Sequence, residues 1–390
     1  MYMEMTSPRK LVSGAGALEH VKTLKGERAF IVMSGAFAKR NPTVAATLES
    51  YLKEAGFAVT KIFSEGREPT LDYVRESAKI MEQFAPDHIF AVGGGSTLDA
   101  AKIMKVIYEF PDISDEALFR RFNLPSLERK ASMVAIPTTS GTGSEVTPFN
   151  MVFVKTGNDE VPYIKNSVAD YQTIPDVVIL DPAFTISMSP EVTANTGLDA
   201  LVHAIEAYTS KKPKNIFSDL YTLEAIRTIV ENLPIVYKDG ANVEARAKLQ
   251  YASMMAGIAI ANRGTGLAHG IGNPLGAFGV AHGVAVALVL DAVMKFNFAF
   301  CRDGYREIAV CLGVAPGTDE AMFQALMDKI AGLKQAIAFP AKITAFGISG
   351  EAYRTKIDFL AQDAVGAGST LVNPRTPTVD DIKQILTSIC

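Results

Sequence analysis

The chain has 390 residues, which is long for a single hydrophobic core and favours two packed domains. Hydrophobic residues make up 48%, charged residues 21%, and the net charge at pH 7 is -4 without a long basic run. We therefore expect neither a nucleic acid nor an anionic membrane as a partner. The N-terminal sequence MYMEMTSPRK lacks the apolar core of a signal peptide, and the three cysteines show no metal or redox spacing. These features favour a cytoplasmic protein without a disulfide framework.

Residues 1–185 alternate short β-branched runs with segments of helical period, which is typical of parallel βαβ units. The predicted strands are 29–33, 59–63, 88–92, 133–136 and 177–180. The predicted helices between them are 43–55, 71–84 and 96–108. This order predicts an α/β domain, a Rossmann-like, doubly wound parallel sheet with helices on both faces.

Two glycine-rich segments follow predicted strands of this first domain. Gly93-Gly94-Gly95-Ser96 lies between a strand and a helix, and Pro137–Glu145 (PTTSGTGSE) follows the next strand. Either segment alone is as consistent with a tight turn or a polar loop that binds nothing. Two such loops at the carboxyl ends of parallel strands favour a dinucleotide site, because glycine lets phosphate approach the backbone and the helix N-terminus.

From residue 186 to residue 390 the pattern changes to consecutive helical segments with few strand signals. Ser189-Pro190-Glu191 is typical of a helix start, with Ser as N-cap and Pro in the first turn. The predicted helices span about 190–210, 217–231 and 243–261, with more helical segments out to residue 389. We therefore predict an all-helical second domain.

Three of the five histidines lie in this helical domain near an aspartate. Asp199 and His203 are four residues apart, which places them on one helix face. His269 and His282 follow in glycine-flanked segments, and each histidine by itself is as consistent with a satisfied core residue. One carboxylate and three imidazoles together indicate a site for Fe²⁺ or Zn²⁺.

Five segments of the sequence resemble the iron-dependent, group III alcohol dehydrogenases. They are Gly93–Lys102 (GGGSTLDAAK), Pro137–Phe149 (PTTSGTGSEVTPF), Gly197–Ser210 (GLDALVHAIEAYTS), Gly266–Gly283 (GLAHGIGNPLGAFGVAHG) and Asn373–Thr378 (NPRTPT). The resemblance implies a dehydroquinate synthase-like architecture, with an N-terminal domain that binds NAD(P) and a helical C-terminal domain that holds the metal.

The resemblance also implies roles for individual residues. The implied metal ligands, which we also expect to be the catalytic centre, are Asp199, His203, His269 and His282. The implied cofactor-binding residues are Ser34, Gly94, Gly95, Ser96, Asp99, Thr138, Thr139, Ser144 and Lys165.

Three departures from the family pattern concern this chain in particular. Asn273 stands where many members carry a histidine that relays a proton, and the interval from His269 to His282 is one residue shorter than in many members. Many NAD-using members also end the first strand with an aspartate that repels a 2′-phosphate. Here the strand ends at Ser34-Gly35, with Lys39 and Arg40 close behind. This favours NADP over NAD, although Lys39 and Arg40 also fit a solvated helix face.

The expected activity is that of an NAD(P)-linked alcohol dehydrogenase or aldehyde reductase on a small primary alcohol or aldehyde, by hydride transfer with the metal as Lewis acid. A homo-oligomer, a dimer or larger, is expected from the family. Alternatives are a hydroxyacid–oxoacid transhydrogenase, a glycerol dehydrogenase-like enzyme, or a protein that binds without catalysis. A further alternative is a reductase of an aldehyde with an anionic tail that Arg263 recognises. The other interpretation, which we favour slightly, is that Arg263 pairs with a structural acid.

Overall fold

The computed structural model describes residues 4–64, 68–158, 161–276 and 279–390. The chain splits into two compact units. One unit is Thr6–Ser187, and the other is Met188–Cys390 together with Glu4 and Met5 at the start of the chain.

The unit Thr6–Ser187 is built on a parallel sheet. Its strands are β1 (Lys10–Ser13), β2 (Arg28–Ser34), β3 (Ala58–Ser64), β4 (His88–Gly93), β5 (Ser132–Pro137), β6 (Phe149–Asn158), β7 (Val161–Ala169) and β8 (Val177–Leu180). Six of them form one sheet in the order β1-β8-β5-β4-β2-β3, with every described pairing parallel. Strands β2, β4 and β5 are buried almost throughout, as continuous apolar runs require when helices cover both faces. The predicted doubly wound α/β architecture is confirmed.

The helices of this unit are α1 (Gly35–Arg40), α2 (Pro42–Glu54), α3 (Leu71–Phe84), α4 (Gly95–Glu109) and α5 (Asp115–Leu118). Three of them, α2, α3 and α4, were predicted from the sequence, and the short helices α1 and α5 were not. Helix α3 is capped by Thr70, whose hydroxyl accepts from the Tyr73 N–H at 3.3 Å. Helix α4 is buried from Thr97 to Glu109, so its polar side chains must find partners inside the protein.

The sequence analysis did not predict the antiparallel hairpin β6–β7, which pairs Phe149 with Ala169. The hairpin packs on α3 and α4. The Phe153 N–H donates to the Pro69 carbonyl at 2.8 Å, which ties the hairpin to the segment before α3.

The second unit is all-helical in the part of the chain that the structure describes, which confirms the predicted class. Its helices are α6 (Pro190–Thr209), α7 (Ile216–Lys238), α8 (Val243–Arg263), α9 (Leu267–Leu275), α10 (His282–Asn297), α11 (Arg302–Cys311), α12 (Asp319–Ala336), α13 (Gly350–Arg354), α14 (Ile357–Gly366) and α15 (Val379–Ser388). Helix α6 starts as predicted, since the Ser189 hydroxyl accepts from the Val192 N–H at 3.2 Å and Pro190 lies in the first turn. It packs against α7, α8 and α10. Helix α6 therefore lies at the centre of the helical core.

One stretch among the described residues, His282–Phe300, is apolar and long enough to cross a bilayer by composition alone. In the structure 56% of it is buried, and α10 contacts α6, α9 and α15. These contacts are those of a core helix.

Candidate active site

Helix α6 presents three ionisable side chains on one face, because Asp199, His203 and Glu206 are spaced by four and then three residues. All three are buried, with relative exposures of 3%, 5% and 4%. Burial of this kind is costly unless the groups are paired or bind an ion.

The structure brings three of the four proposed ligands together, since the ligand atoms of Asp199, His203 and His269 lie within 4.8 Å of one another. His282 lies outside this set but contacts Asp199. The Asp199 Oδ1 atom lies 3.5 Å from the His269 Nε2 atom, 3.8 Å from that of His282 and 3.9 Å from that of His203. The His203 and His269 rings are stacked with centroids 4.4 Å apart. Ligands of one transition-metal ion show such spacing, because each metal bond is about 2.0–2.2 Å long.

Two of these atoms lack hydrogen-bond partners within the described ranges. Asp199 Oδ1 and His269 Nε2 are both fully buried and make no hydrogen bond, although they lie 3.5 Å apart. Buried polar atoms in native proteins nearly always have a hydrogen-bond partner, so two neighbouring atoms without one need an explanation. A bound cation satisfies both atoms, and the carboxylate and imidazole donors fit Fe²⁺ or Zn²⁺.

Electrostatics at this cluster also favour positive charge. Burial by itself raises the pKa of Asp199, but His203, His282 and His269 outweigh it and hold that pKa below its usual range. Burial lowers the pKa of His269, yet Glu206 and Asp199 together raise it to about 9. The protein therefore stabilises a cation at this point.

Glu206 is a functional residue that the sequence analysis missed. Its Oε2 atom accepts a hydrogen bond from His269 Nδ1 at 2.6 Å and from the Gly266 N–H at 2.8 Å, and its Oε1 atom accepts from the Ala268 N–H at 2.5 Å. This arrangement holds the His269 ring with Nε2 toward Asp199, as carboxylates behind metal-binding histidines do. Its position in the sequence could have indicated this role, because Glu206 follows Asp199 by seven residues and so lies on the same helix face.

Gly283 allows the start of α10 to approach α6. A Cβ at this position would lie 2.1 Å from the Asn195 carbonyl oxygen and 3.3 Å from the Asp199 Cβ. His282 precedes this glycine as the first residue of α10, so the close approach brings its imidazole to Asp199. Asn273 lies four residues after His269 on α9 and is half-buried.

In the unit Thr6–Ser187 the two glycine-rich loops lie side by side. The Thr138 N–H donates to the Gly93 carbonyl at 2.9 Å, where β4 and β5 end. A Cβ on Gly94 would lie 3.3 Å from Thr139, and one on Gly95 would lie 2.9 Å from Thr142. The first turn of α4 begins here, so its N–H groups and the Ser96 side chain belong to a site suited to phosphate.

Several proposed cofactor residues are already bonded within the protein. The Ser34 hydroxyl caps α1 by accepting from the Phe37 N–H at 3.3 Å. Asp99 accepts hydrogen bonds from the Ser144 hydroxyl and, at 2.9 Å, from the Met151 N–H. Lys165 pairs with Glu68 at 2.7 Å. The contacts of Asp99 and Ser144 thus hold the second loop in place.

Lys102 holds the second glycine-rich loop through hydrogen bonds, and the sequence analysis did not single it out. Its Nζ atom is fully buried and donates to the Ser144 carbonyl at 2.9 Å and the Thr147 carbonyl at 2.8 Å. Burial lowers the pKa of Lys102 to about 8 and raises that of nearby Glu145 to about 7. A buried ionisable framework therefore fixes the shape of the candidate nucleotide loops.

Arg263 has a structural role. Its guanidinium is buried, donates to the carbonyls of Pro213 and Ser210 at 3.0 Å each, and lies 3.5 Å from the Asp219 carboxylate. Of the two roles considered for Arg263, pairing with a structural acid is the one observed. The hypothesis of a substrate with an anionic tail depended on Arg263, so the structure does not support it.

Comparisons with known proteins agree with this fold. Residues 8–182 match the iron-containing alcohol dehydrogenase family, and residues 193–390 match the C-terminal region of the Fe-containing alcohol dehydrogenase family. The chain is 37% identical to the NADPH-dependent butanol dehydrogenase of Clostridium saccharobutylicum, over 98% of this chain and 97% of that protein. It is also 37% identical to the bifunctional aldehyde-alcohol dehydrogenase AdhE of Escherichia coli, over 95% of this chain but 44% of that longer protein.

Among solved structures, the iron-containing alcohol dehydrogenase from Thermococcus thioreducens aligns with a TM-score of 0.88 at 32% identity, covering 99% of this chain and 98% of the other. The chain belongs to the iron-containing alcohol dehydrogenase family, as its motifs indicated. It is therefore a metal-dependent alcohol dehydrogenase of the oxidoreductase class.

Gly283→Ala should lower metal affinity by at least tenfold, because the new methyl group pushes the His282 end of α10 away from Asp199. Zn²⁺ affinity can be measured by competition with a chromogenic chelator. Gly332→Ala is the matched control, since nothing lies within 4 Å of a Cβ there. Equal affinities in the two variants would contradict the role of this close contact.

Glu206→Gln should weaken metal binding by about 10- to 100-fold, because an amide cannot accept all the hydrogen bonds that orient His269. The same chelator competition measures the loss, and circular dichroism checks the fold. Unchanged affinity in a folded Gln variant would show that Glu206 does not position the ligand.

Proposed function

We propose that this alcohol dehydrogenase interconverts small primary alcohols and aldehydes with NADP(H) and holds Fe²⁺, or alternatively Zn²⁺, on Asp199, His203, His269 and His282. The observation that carries the proposal is the buried Asp199 Oδ1 atom, which makes no hydrogen bond and has three imidazole Nε2 atoms at 3.5–3.9 Å. Its support from relatives is the family description, which names iron.

When bound, the metal supplies Lewis acidity toward the oxygen of the alcohol or aldehyde. The protein's own side chains orient the ligands and exclude water. Glu206 fixes the orientation of His269, and the buried surroundings of Asp199 and His203 exclude bulk water. Asn273 cannot titrate, so the proton of the substrate hydroxyl leaves through water or another group.

NADP(H) is the proposed cofactor, held by the pyrophosphate loop Gly94-Gly95-Ser96 and by Thr138 and Thr139 beside it. Strand β2 ends at Ser34-Gly35 without a carboxylate, and Lys39 and Arg40 are exposed in the last turn of α1. The butanol dehydrogenase of Clostridium saccharobutylicum is described as NADPH-dependent, which supports the same choice here.

We also propose a homo-oligomer that works in the cytoplasm. The support for the compartment is that Cys301, Cys311 and Cys390 are all free thiols. Light scattering on the purified protein tests the oligomeric state.

Turnover that needs no added NADP(H) would instead indicate transhydrogenase chemistry with retained cofactor.

His203→Ala should abolish bound metal and aldehyde reduction together, because it removes a buried ligand from α6. The measurement is metal content by mass spectrometry beside NADPH oxidation with butanal. His20→Ala, on the other unit, is the control and should retain both. Full activity in a metal-free His203 variant would end the proposal.

Gly35→Asp should lower kcat/KM for NADPH at least tenfold while changing that for NADH far less, since a carboxylate repels the 2′-phosphate. A Cβ at Gly35 lies 3.2 Å from the Ser64 carbonyl, so the side chain needs only a small adjustment. Gly35→Asn is the matched neutral control. If Asn and Asp reduce NADPH use equally, the effect is steric and the charge argument fails.

A further inference from the structure

A pocket of about 160 Å³ lies in the unit Thr6–Ser187, and its lining shares no residue with either candidate site described above. Arg9 precedes β1, Asp176 precedes β8, and both line the pocket. The amino ends of all strands in a parallel sheet lie on the same side. This pocket therefore lies at the amino ends of the strands, opposite the Gly94 loop, which follows the carboxyl end of β4.

Three cations and one carboxylate line the pocket, namely Arg9, Lys105, Arg129 and Asp176. The Asp176 Oδ2 atom accepts from the Met133 N–H at 2.9 Å and lies 3.4 Å from Lys105 Nζ. Arg9 lies 3.8 Å from the other carboxylate oxygen. One negative charge against three positive charges leaves a net excess of two positive charges in the lining.

The position of Lys105 makes this excess unusual for a surface pocket. Its side chain is 5% exposed and belongs to the buried helix α4. A buried ammonium group needs compensating negative charge or hydrogen bonds, and Asp176 is shared between Lys105 and Arg9. Within the described residues no carboxylate pairs with Arg129, so its guanidinium is available to a ligand.

Hydrogen bonds hold the wall that carries Arg129. The Leu127 N–H donates to the Gln172 side chain at 2.9 Å, and the Lys130 N–H donates to the Glu109 carboxylate at 3.0 Å. Between them Arg129 has a φ of 59°, a left-handed conformation that is uncommon outside glycine. Such a conformation persists where the surroundings fix it, and these two hydrogen bonds fix the backbone on both sides of Arg129.

We propose that this pocket binds a phosphate group, either inorganic phosphate or that of a small phosphorylated metabolite. Two guanidinium groups match the oxygen pairs of a phosphate, and the Lys105 ammonium adds a buried point charge. A volume of about 160 Å³ suits a small anion, and the lining shares no residue with the Gly94 and Thr138 loops. The site is therefore separate from cofactor binding and does not depend on the proposed function.

Isothermal titration calorimetry of inorganic phosphate into the full-length protein tests this site. The titration is run at constant ionic strength with NADP⁺ present, so that phosphate does not occupy the Gly94 loop. The variant is Arg9→Gln with Arg129→Gln, two exposed residues outside the candidate catalytic machinery. We expect the double variant to lose at least tenfold in phosphate affinity.

The matched control is Lys25→Gln with Lys53→Gln, which changes the net charge equally at exposed positions of the same unit. This control should bind phosphate like the unmodified protein. Undetectable phosphate binding, equal affinity in the arginine double variant, or an equal loss in the lysine control would each overturn the proposal. Glycerol 3-phosphate is the second probe. Tighter binding than phosphate supports an organic phosphate as the natural ligand, and equal binding supports the free ion.

Discussion

The helical unit depends on how one buried carboxylate is neutralised. Asp199 is 3% exposed, and its Oδ1 atom faces the imidazoles of His203, His269 and His282. A buried ion without a partner costs far more than the whole stability margin of a typical domain. The apolar core packs α6, α9 and α10 together, and the cation that we propose on these side chains would neutralise Asp199.

The same physical rule acts on the sheet side of the chain, with a different solution. Asp99, Lys102 and Glu145 are buried beneath the glycine-rich loops and are bonded to backbone groups or near one another. Here the buried charges compensate each other and fix loop geometry without needing an external ion. Buried charge thus holds the shape of the loops in this unit, whereas in the helical unit we propose that it binds an ion.

Most of the fold could be predicted from the sequence because its strongest signals are local. The apolar runs of β2, β4 and β5 and the Ser189-Pro190 start of α6 needed no tertiary information. Strand β1 (KLVS) was missed because it is a short edge strand with mostly exposed residues. Helix α7 continues past Pro234 to Lys238, since burial of Leu233 and Val236 outweighs the hydrogen bond that proline removes.

The site was less predictable where a role depends on neighbours from another helix. Asp199 and His203 follow from spacing on α6, whereas the contact between Glu206 and His269 joins residues 63 positions apart. The spatial role of Gly283 likewise depends on the Asn195 carbonyl of α6. No local pattern in the sequence encodes such contacts.

The four candidate ligands differ in how far solvent reaches them. The side chains of Asp199, His203 and His269 are 4–6% exposed, whereas that of His282 is 33% exposed. We expect the ion to enter and leave on the His282 side, so the release of this one imidazole sets the rate of metal exchange. During long storage with a chelator, the metal would then be lost on the side of His282, at the N-terminal end of α10.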